Sequence, residues 1–98
     1  MFYTYVLQSK LNSEIYTGFT TDLRKRLKEH NQGLNLSTKR YRPWNLIYYE
    51  ACLNKDDAQR RESYLKTTQG RRLLKRRLKE FMFLEKSKDL INQNFTTG

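Results

Sequence analysis

The chain has 98 residues, which suits one domain built around one hydrophobic core. Twenty Lys and Arg stand against ten Asp and Glu, and the net charge of +10 points to a polyanionic partner, nucleic acid first. One cysteine (Cys52) and one histidine (His30) exclude a disulfide framework and a Cys/His zinc site made by this chain alone; the lack of a long apolar run excludes a membrane span, and the 13% aromatic share argues against a disordered chain.

Phe2–Gln8 is rich in aromatic and β-branched residues and reads as a strand. It patterns as a strand rather than a leader peptide, so the expected compartment is the reducing cytoplasm. Lys10–Ser13 is turn-like, and Ile15–Phe19 reads as a second strand that closes an antiparallel hairpin. Gly18 inside it marks a bulge or a close backbone approach. Thr20-Thr21-Asp22 starts a helix that runs to about Asn31, with Gly33 at its C-terminal stop. Leu23, Arg26, Leu27 and His30 share its inward stripe. Asn31–Arg42 reads as a polar loop carrying Lys39, Arg40 and Arg42, closed by Pro43, and Trp44 is expected near the core.

Asn45–Cys52 is the third expected strand. Asn54 caps a second helix that continues to about Thr67 and puts Ala58, Glu62 and Leu65 on one face. Gly70 is expected to break the helical pattern, with a third helix from Arg71 to about Leu84 on a stripe of Leu74, Leu78, Phe81 and Glu85. Residues 92–98 lack periodicity and read as a frayed tail. The predicted fold is a small α/β domain over residues 1–85, a three-stranded antiparallel sheet with flanking helices in the order β-β-α-β-α-α, followed by an extension at 86–98.

Five polar residues are pushed inward by this patterning: Tyr5, Tyr16, Arg26, His30 and Glu62. Each alone has an ordinary structural reading, the tyrosines as cross-strand aromatics, His30 as a hydrogen-bonder, and Glu62 as the partner of Arg26 or Arg61. Together they suit phosphodiester cleavage, which needs a water activator, a cation on the phosphate and a carboxylate for a divalent ion. Arg60–Lys79 adds nine Lys or Arg against the single acid Glu62. Arg61, Lys66, Arg71, Arg72 and Lys75 there, with Lys39, Arg40 and Arg42 in the loop, are the expected nucleic-acid contacts.

Tyr3-Thr4-Tyr5, ten residues, then Tyr16-Thr17-Gly18 resembles the paired motifs of the GIY-YIG endonucleases. Tyr16–Asn31 resembles that family's strand-to-helix segment, and Ala58–Lys66 its metal-carboxylate helix. The likeness covers roughly Met1–Leu78 and is greatest to short single-domain members such as the UPF0213 group. It implies that Tyr5 activates or positions the attacking water, that Tyr16 joins the same hydrogen-bond network, and that Gly18 is the glycine of the second motif. Arg26 matches the arginine facing the scissile phosphate, and Glu62 the carboxylate that binds one Mg²⁺ or Mn²⁺. His30 matches a histidine of the short members, with base or tyrosine orienter both open as its role. A free tyrosine has a pKa of about 10, so Arg26 or a metal-bound water has to favour its phenolate.

Tyr3 and Thr4 depart from the Gly and Ile of the family's first motif, and Leu74 falls near the spacing where many members carry an Asn. The resemblance implies a metal-dependent endonuclease acting on DNA, with structure favoured over sequence as the determinant and DNA repair as a setting. DNA is favoured over RNA, and no membrane or obligate protein partner is indicated. Two other readings stay open: a non-catalytic nucleic-acid-binding module with the same fold, and a ribosome- or RNA-associated basic protein.

Overall fold

The computed structural model describes the backbone of residues 1–96 and the side chains of residues 1–88. Three strands form one antiparallel sheet: β1 (Phe2–Ser9), β2 (Ile15–Thr20) and β3 (Trp44–Cys52), in the order β2-β1-β3. Helix α1 (Leu23–Asn31) follows β2, and α2 (Lys55–Leu65), α3 (Thr68–Arg77) and α4 (Lys79–Thr96) follow β3. The expected sheet and its flanking helices are therefore present. No helix among the described residues is long and apolar enough to cross a membrane.

β1 is the central strand, and its residues Thr4 to Leu7 are buried without a break, because helices cover both faces of the sheet. Alternation divides them between two cores. Tyr5 and Leu7 pack with Trp44, supported by Leu23, Leu27 and Leu46. Val6 packs with Leu65 and Leu74, supported by Ile15 and Ile47. Thr4, on the α2 face, donates its hydroxyl to the Ala58 carbonyl at 2.7 Å, which ties α2 to the sheet.

The helix starts follow local capping chemistry. Asp22 accepts from the Lys25 amide, Asn54 from the Asp56 and Asp57 amides, and Thr67 from the Gly70 amide. Two expectations are corrected. Gly70 does not break a helix; it is the third residue of α3, buried where a Cβ would strike the Tyr64 carbonyl at the end of α2. Glycine here serves close helix–helix approach rather than termination. The single helix expected from Arg71 is two, α3 and α4, meeting at Leu78, whose φ of −105° and ψ of 24° leave helical geometry. α4 runs through most of the stretch expected as an extension; its side chains from residue 89, and residues 97–98 altogether, lie outside the described residues.

The polar loop between α1 and β3 is pinned at both ends. The Asn31 side chain accepts from the Trp44 amide at 2.6 Å and donates to the Trp44 carbonyl at 3.0 Å. The Trp44 indole donates to the Thr38 carbonyl at 2.7 Å, and the Ser9 hydroxyl to the Tyr41 carbonyl at 2.6 Å. A short 3₁₀ turn, Lys39–Tyr41, lies within this loop. Thr38 is thereby carried into the interior.

Candidate active site

Beside the edge strand β2, between α1 and α2, an open cleft of about 440 Å³ is lined by Tyr5, Tyr16, Gly18, Arg26, Glu62 and Lys66, with Thr17, Phe19, Asn35, Gln59 and Ser63. Four elements supply its chemistry. Tyr5 lies on β1, opposite Gly18 of β2 in the ladder, and a Cβ on Gly18 would overlap the Tyr5 phenol. The missing side chain is what lets the Tyr5 ring lie across β2 and bring its oxygen to the cleft. Tyr16, two residues earlier on β2, sets its ring edge-on to His30 with centroids 5.1 Å apart.

The Tyr5 hydroxyl and His30 Nε2 are 2.7 Å apart, and His30 Nδ1 and the Thr38 hydroxyl are also 2.7 Å apart. Tyr5 is 2% exposed, and His30 and Thr38 are 0% exposed. His30 therefore does not line the cleft; it meets it through the Tyr5 hydroxyl, with the Tyr16 ring against its edge. Burial pushes the Tyr5 phenol well above its ordinary value, Tyr16 adds to this, and the Arg26 charge opposes it without prevailing. Of the two aids expected for a Tyr5 phenolate, Arg26 or a metal-bound water, Arg26 by itself is not enough: in the chain alone the group is a neutral phenol. Burial also lowers the His30 pKa, with Arg26 lowering it further and Glu29 opposing, so the imidazole is neutral near pH 7.

Arg26 comes from the half-buried side of α1, and no hydrogen bond or ion pair among the described residues engages its guanidinium. Glu62 comes from α2 and is paired with Lys66 one turn later, Nζ to Oε1 3.0 Å; the Glu62 side chain is 22% exposed and that of Lys66 52%. Neither expected partner, Arg26 or Arg61, takes this carboxylate. No cluster of three or more His, Cys, Asp or Glu that could hold a metal occurs among the described residues. A single carboxylate facing an open cleft suits an ion that keeps most of its waters and takes phosphate oxygens as ligands, as Mg²⁺ does.

The expected nucleic-acid contacts fall into three groups. Lys66 lines the cleft. Lys39, Arg40 and Arg42 lie exposed on the pinned loop, and Arg72 and Lys75 on α3. Two are committed elsewhere: Arg61 donates to Glu50 at 2.8 Å in a separate groove with Thr4 and Asp57, and half-buried Arg71 donates to the Thr17 hydroxyl at 2.8 Å. Leu74, near the spacing of the family's Asn, is buried in the core.

Sequence reasoning missed Asn35, Thr38, Gln59 and Ser63. Two of them carried a readable signal: Gln59, Glu62, Ser63 and Lys66 recur at i, i+3, i+4 and i+7, a polar stripe on α2. Thr38 had none, because its place depends on how the loop is pinned.

Residues 1–77 match the family model described as the GIY-YIG catalytic domain. A UPF0213 protein of Clostridium perfringens (strain 13 / Type A) is 45% identical over 67 residues, covering 67% of this chain and 71% of that protein. A UPF0213 protein of Streptococcus pyogenes serotype M3 is 43% identical over 70 residues, covering 70% and 75%. The solution NMR structure of a UPF0213 protein from Bacillus halodurans matches at 33% identity over 76% of this chain and 82% of that one, with a TM-score of 0.47.

Proposed function

The chain belongs to the GIY-YIG family, and on that premise we propose that it is a divalent-metal-dependent endonuclease that hydrolyses phosphodiester bonds in cytoplasmic DNA, selecting structure rather than sequence. DNA repair is one setting for such an enzyme, and residues 1–85 are its nuclease domain. The observation that carries the reading is the convergence of Tyr5, Tyr16, Arg26 and Glu62, from four elements, on one cleft.

The roles follow from chemistry. The uncommitted Arg26 guanidinium offers paired donors to two phosphate oxygens and stabilises the charge that builds as the bond breaks. Glu62 holds one Mg²⁺ or Mn²⁺, which when bound supplies positive charge to the phosphate and the leaving oxygen. Tyr5 positions the attacking water at the mouth of the cleft. As a neutral phenol it is no base by itself, but it accepts the water's proton while passing its own to His30 Nε2, 2.7 Å behind it. The resulting hydroxide attacks phosphorus, the ester oxygen departs and is protonated from solvent, and His30 returns its proton to solvent through Tyr5. Lys39, Arg40, Arg42, Arg72 and Lys75 hold the backbone on either side.

A non-catalytic binding module is the second reading, and the Lys66 ammonium on Glu62 favours it, because a cation already occupies that carboxylate. One cleavage panel tests both. Single-stranded, duplex, flap and junction DNA, and matching RNA, are incubated with Mg²⁺ or Mn²⁺. The nuclease reading expects cuts concentrated on branched DNA; salt-sensitive binding to all substrates without cutting supports the module, and cutting confined to RNA overturns the choice of DNA.

A further inference from the structure

Thr38 ends a chain of contacts that begins in the cleft. The Tyr5 hydroxyl meets His30 Nε2, His30 Nδ1 meets the Thr38 hydroxyl, and that hydroxyl lies 3.4 Å from the Asn35 carbonyl, which can only accept. The Thr38 backbone is fixed on both sides, its amide on the Asn35 carbonyl at 3.2 Å and its carbonyl on the Trp44 indole at 2.7 Å. The side chain is fully buried, so water does not compete for its hydroxyl.

We propose that Thr38 is a positioning residue that holds His30 in the Nδ1–H tautomer and leaves the Nε2 lone pair to take the Tyr5 proton. Its own hydroxyl proton turns to the Asn35 carbonyl, so its oxygen accepts from Nδ1–H. A phenol is a stronger acid than an aliphatic alcohol and is the better donor to imidazole, so the Tyr5 proton lies toward Nε2. Donation then runs one way: Tyr5 O–H to Nε2, Nδ1–H to Thr38, Thr38 O–H to Asn35. The opposite tautomer would put a proton on Nε2, where nothing could be received from Tyr5. A partner on one ring nitrogen decides what the other can do. The inference deepens the nuclease reading, because direction matters only if Tyr5 relays a proton.

His30 is the only histidine in the chain, so its ring nitrogens give unambiguous ¹⁵N signals. Long-range ¹H–¹⁵N spectra of the full chain, without substrate and above the His30 titration, are expected to show Nδ1 protonated and Nε2 bare. Thr38→Val is expected to shift the ring toward Nε2–H, and Thr38→Ser to restore the wild-type pattern. In cleavage, Thr38→Val should lower kcat about tenfold or more with KM little changed, and Thr38→Ser should recover it. A wild-type ring protonated at Nε2, or a wild-type tautomer retained in Thr38→Val, overturns the proposal. If Thr38→Val does not fold, the wild-type and Thr38→Ser spectra decide. The spectra need no activity, so an inactive wild type counts against the nuclease reading alone and leaves the tautomer result standing.

Discussion

Gly18 and Tyr5 are a directly opposed pair in the β1–β2 ladder, and only one of them can own the space between them. Gly18→Ala is expected to displace the phenol from His30, cost about 1–3 kcal/mol of stability and abolish most cleavage. Thermal melting and single-turnover kinetics check this; an alanine variant with wild-type rates would place the reacting water away from Tyr5. Both tyrosines, Gly18, Arg26 and Glu62 were legible in the sequence because the motifs carry them. The state of Tyr5 was not. Sequence showed a cation nearby, whereas burial, which sequence does not display, outweighs it. His30 has a consequence for pH. Its folded pKa is below the ordinary value of about 6.5, so the unfolded chain binds its proton first as pH falls. His30's contribution to stability is therefore complete above about pH 6.5 and declines as pH drops toward the folded value. In the proposed relay cleavage needs the neutral ring, so its acid limb should also lie below pH 6.5, with Tyr5, Tyr16, Arg26 and Glu29 as the groups facing the imidazole. A pH–rate profile checks the limb, and a midpoint above that of free imidazole would exclude neutral His30 as the proton acceptor.

α2 carries two faces with different duties. Ala58 and Leu65 are buried against the sheet, while Gln59, Glu62, Ser63 and Lys66 line the cleft. The apolar face holds the polar one in place, so Leu65→Ala should cost about 2–5 kcal/mol and blunt cleavage through misplacement of Glu62. Gly70 supports α2 from outside. Gly70→Ala would drive a methyl into the Tyr64 carbonyl, a backbone atom that cannot swing aside. It is expected to destabilise by about 1–3 kcal/mol, with Tm falling roughly 4–8 °C per kcal/mol. If Gly70→Ala melts at or above the wild type, the close approach of α2 and α3 is wrong. The strands, α2 and the caps of α1 and α2 were readable because their signals are local; the Thr67 cap of α3 was not, since Thr67 was read as the end of α2. Gly70 was misread because a glycine that breaks a helix and one that admits a neighbouring helix look alike in one dimension. No Gly or Pro marks Leu78, so the division between α3 and α4 left no trace in the sequence either.

Across the whole molecule, the +10 charge is distributed unevenly by function. Arg61 and Arg71 are tied to Glu50 and Thr17, Lys66 to Glu62, and Arg42 through its Nε to the Lys39 carbonyl, while Lys39, Arg40, Arg72 and Lys75 are exposed; on the proposed reading these exposed side chains are the ones that meet the nucleic-acid backbone. Binding should weaken steeply with salt. Replacing Arg72 and Lys75 together by Gln should lower the slope of log affinity against log salt by about 2, whereas Arg61→Gln should leave it nearly unchanged. A slope that responds to Arg61 as strongly would move the nucleic-acid path to the other groove. The proposed hydrolytic site joins Tyr5, Arg26 and Glu62 in one cleft. It is tested most directly by nicking of supercoiled and branched DNA with Mg²⁺ or Mn²⁺, using wild type, Tyr5→Phe, Arg26→Ala and Glu62→Gln purified identically. The predicted result is cleavage by wild type and a loss of about 100-fold or more in each variant, with DNA affinity within about tenfold of wild type. Equal traces of nicking by wild type and Glu62→Gln would contradict it, and the cleft would then be one that binds the backbone without cutting it.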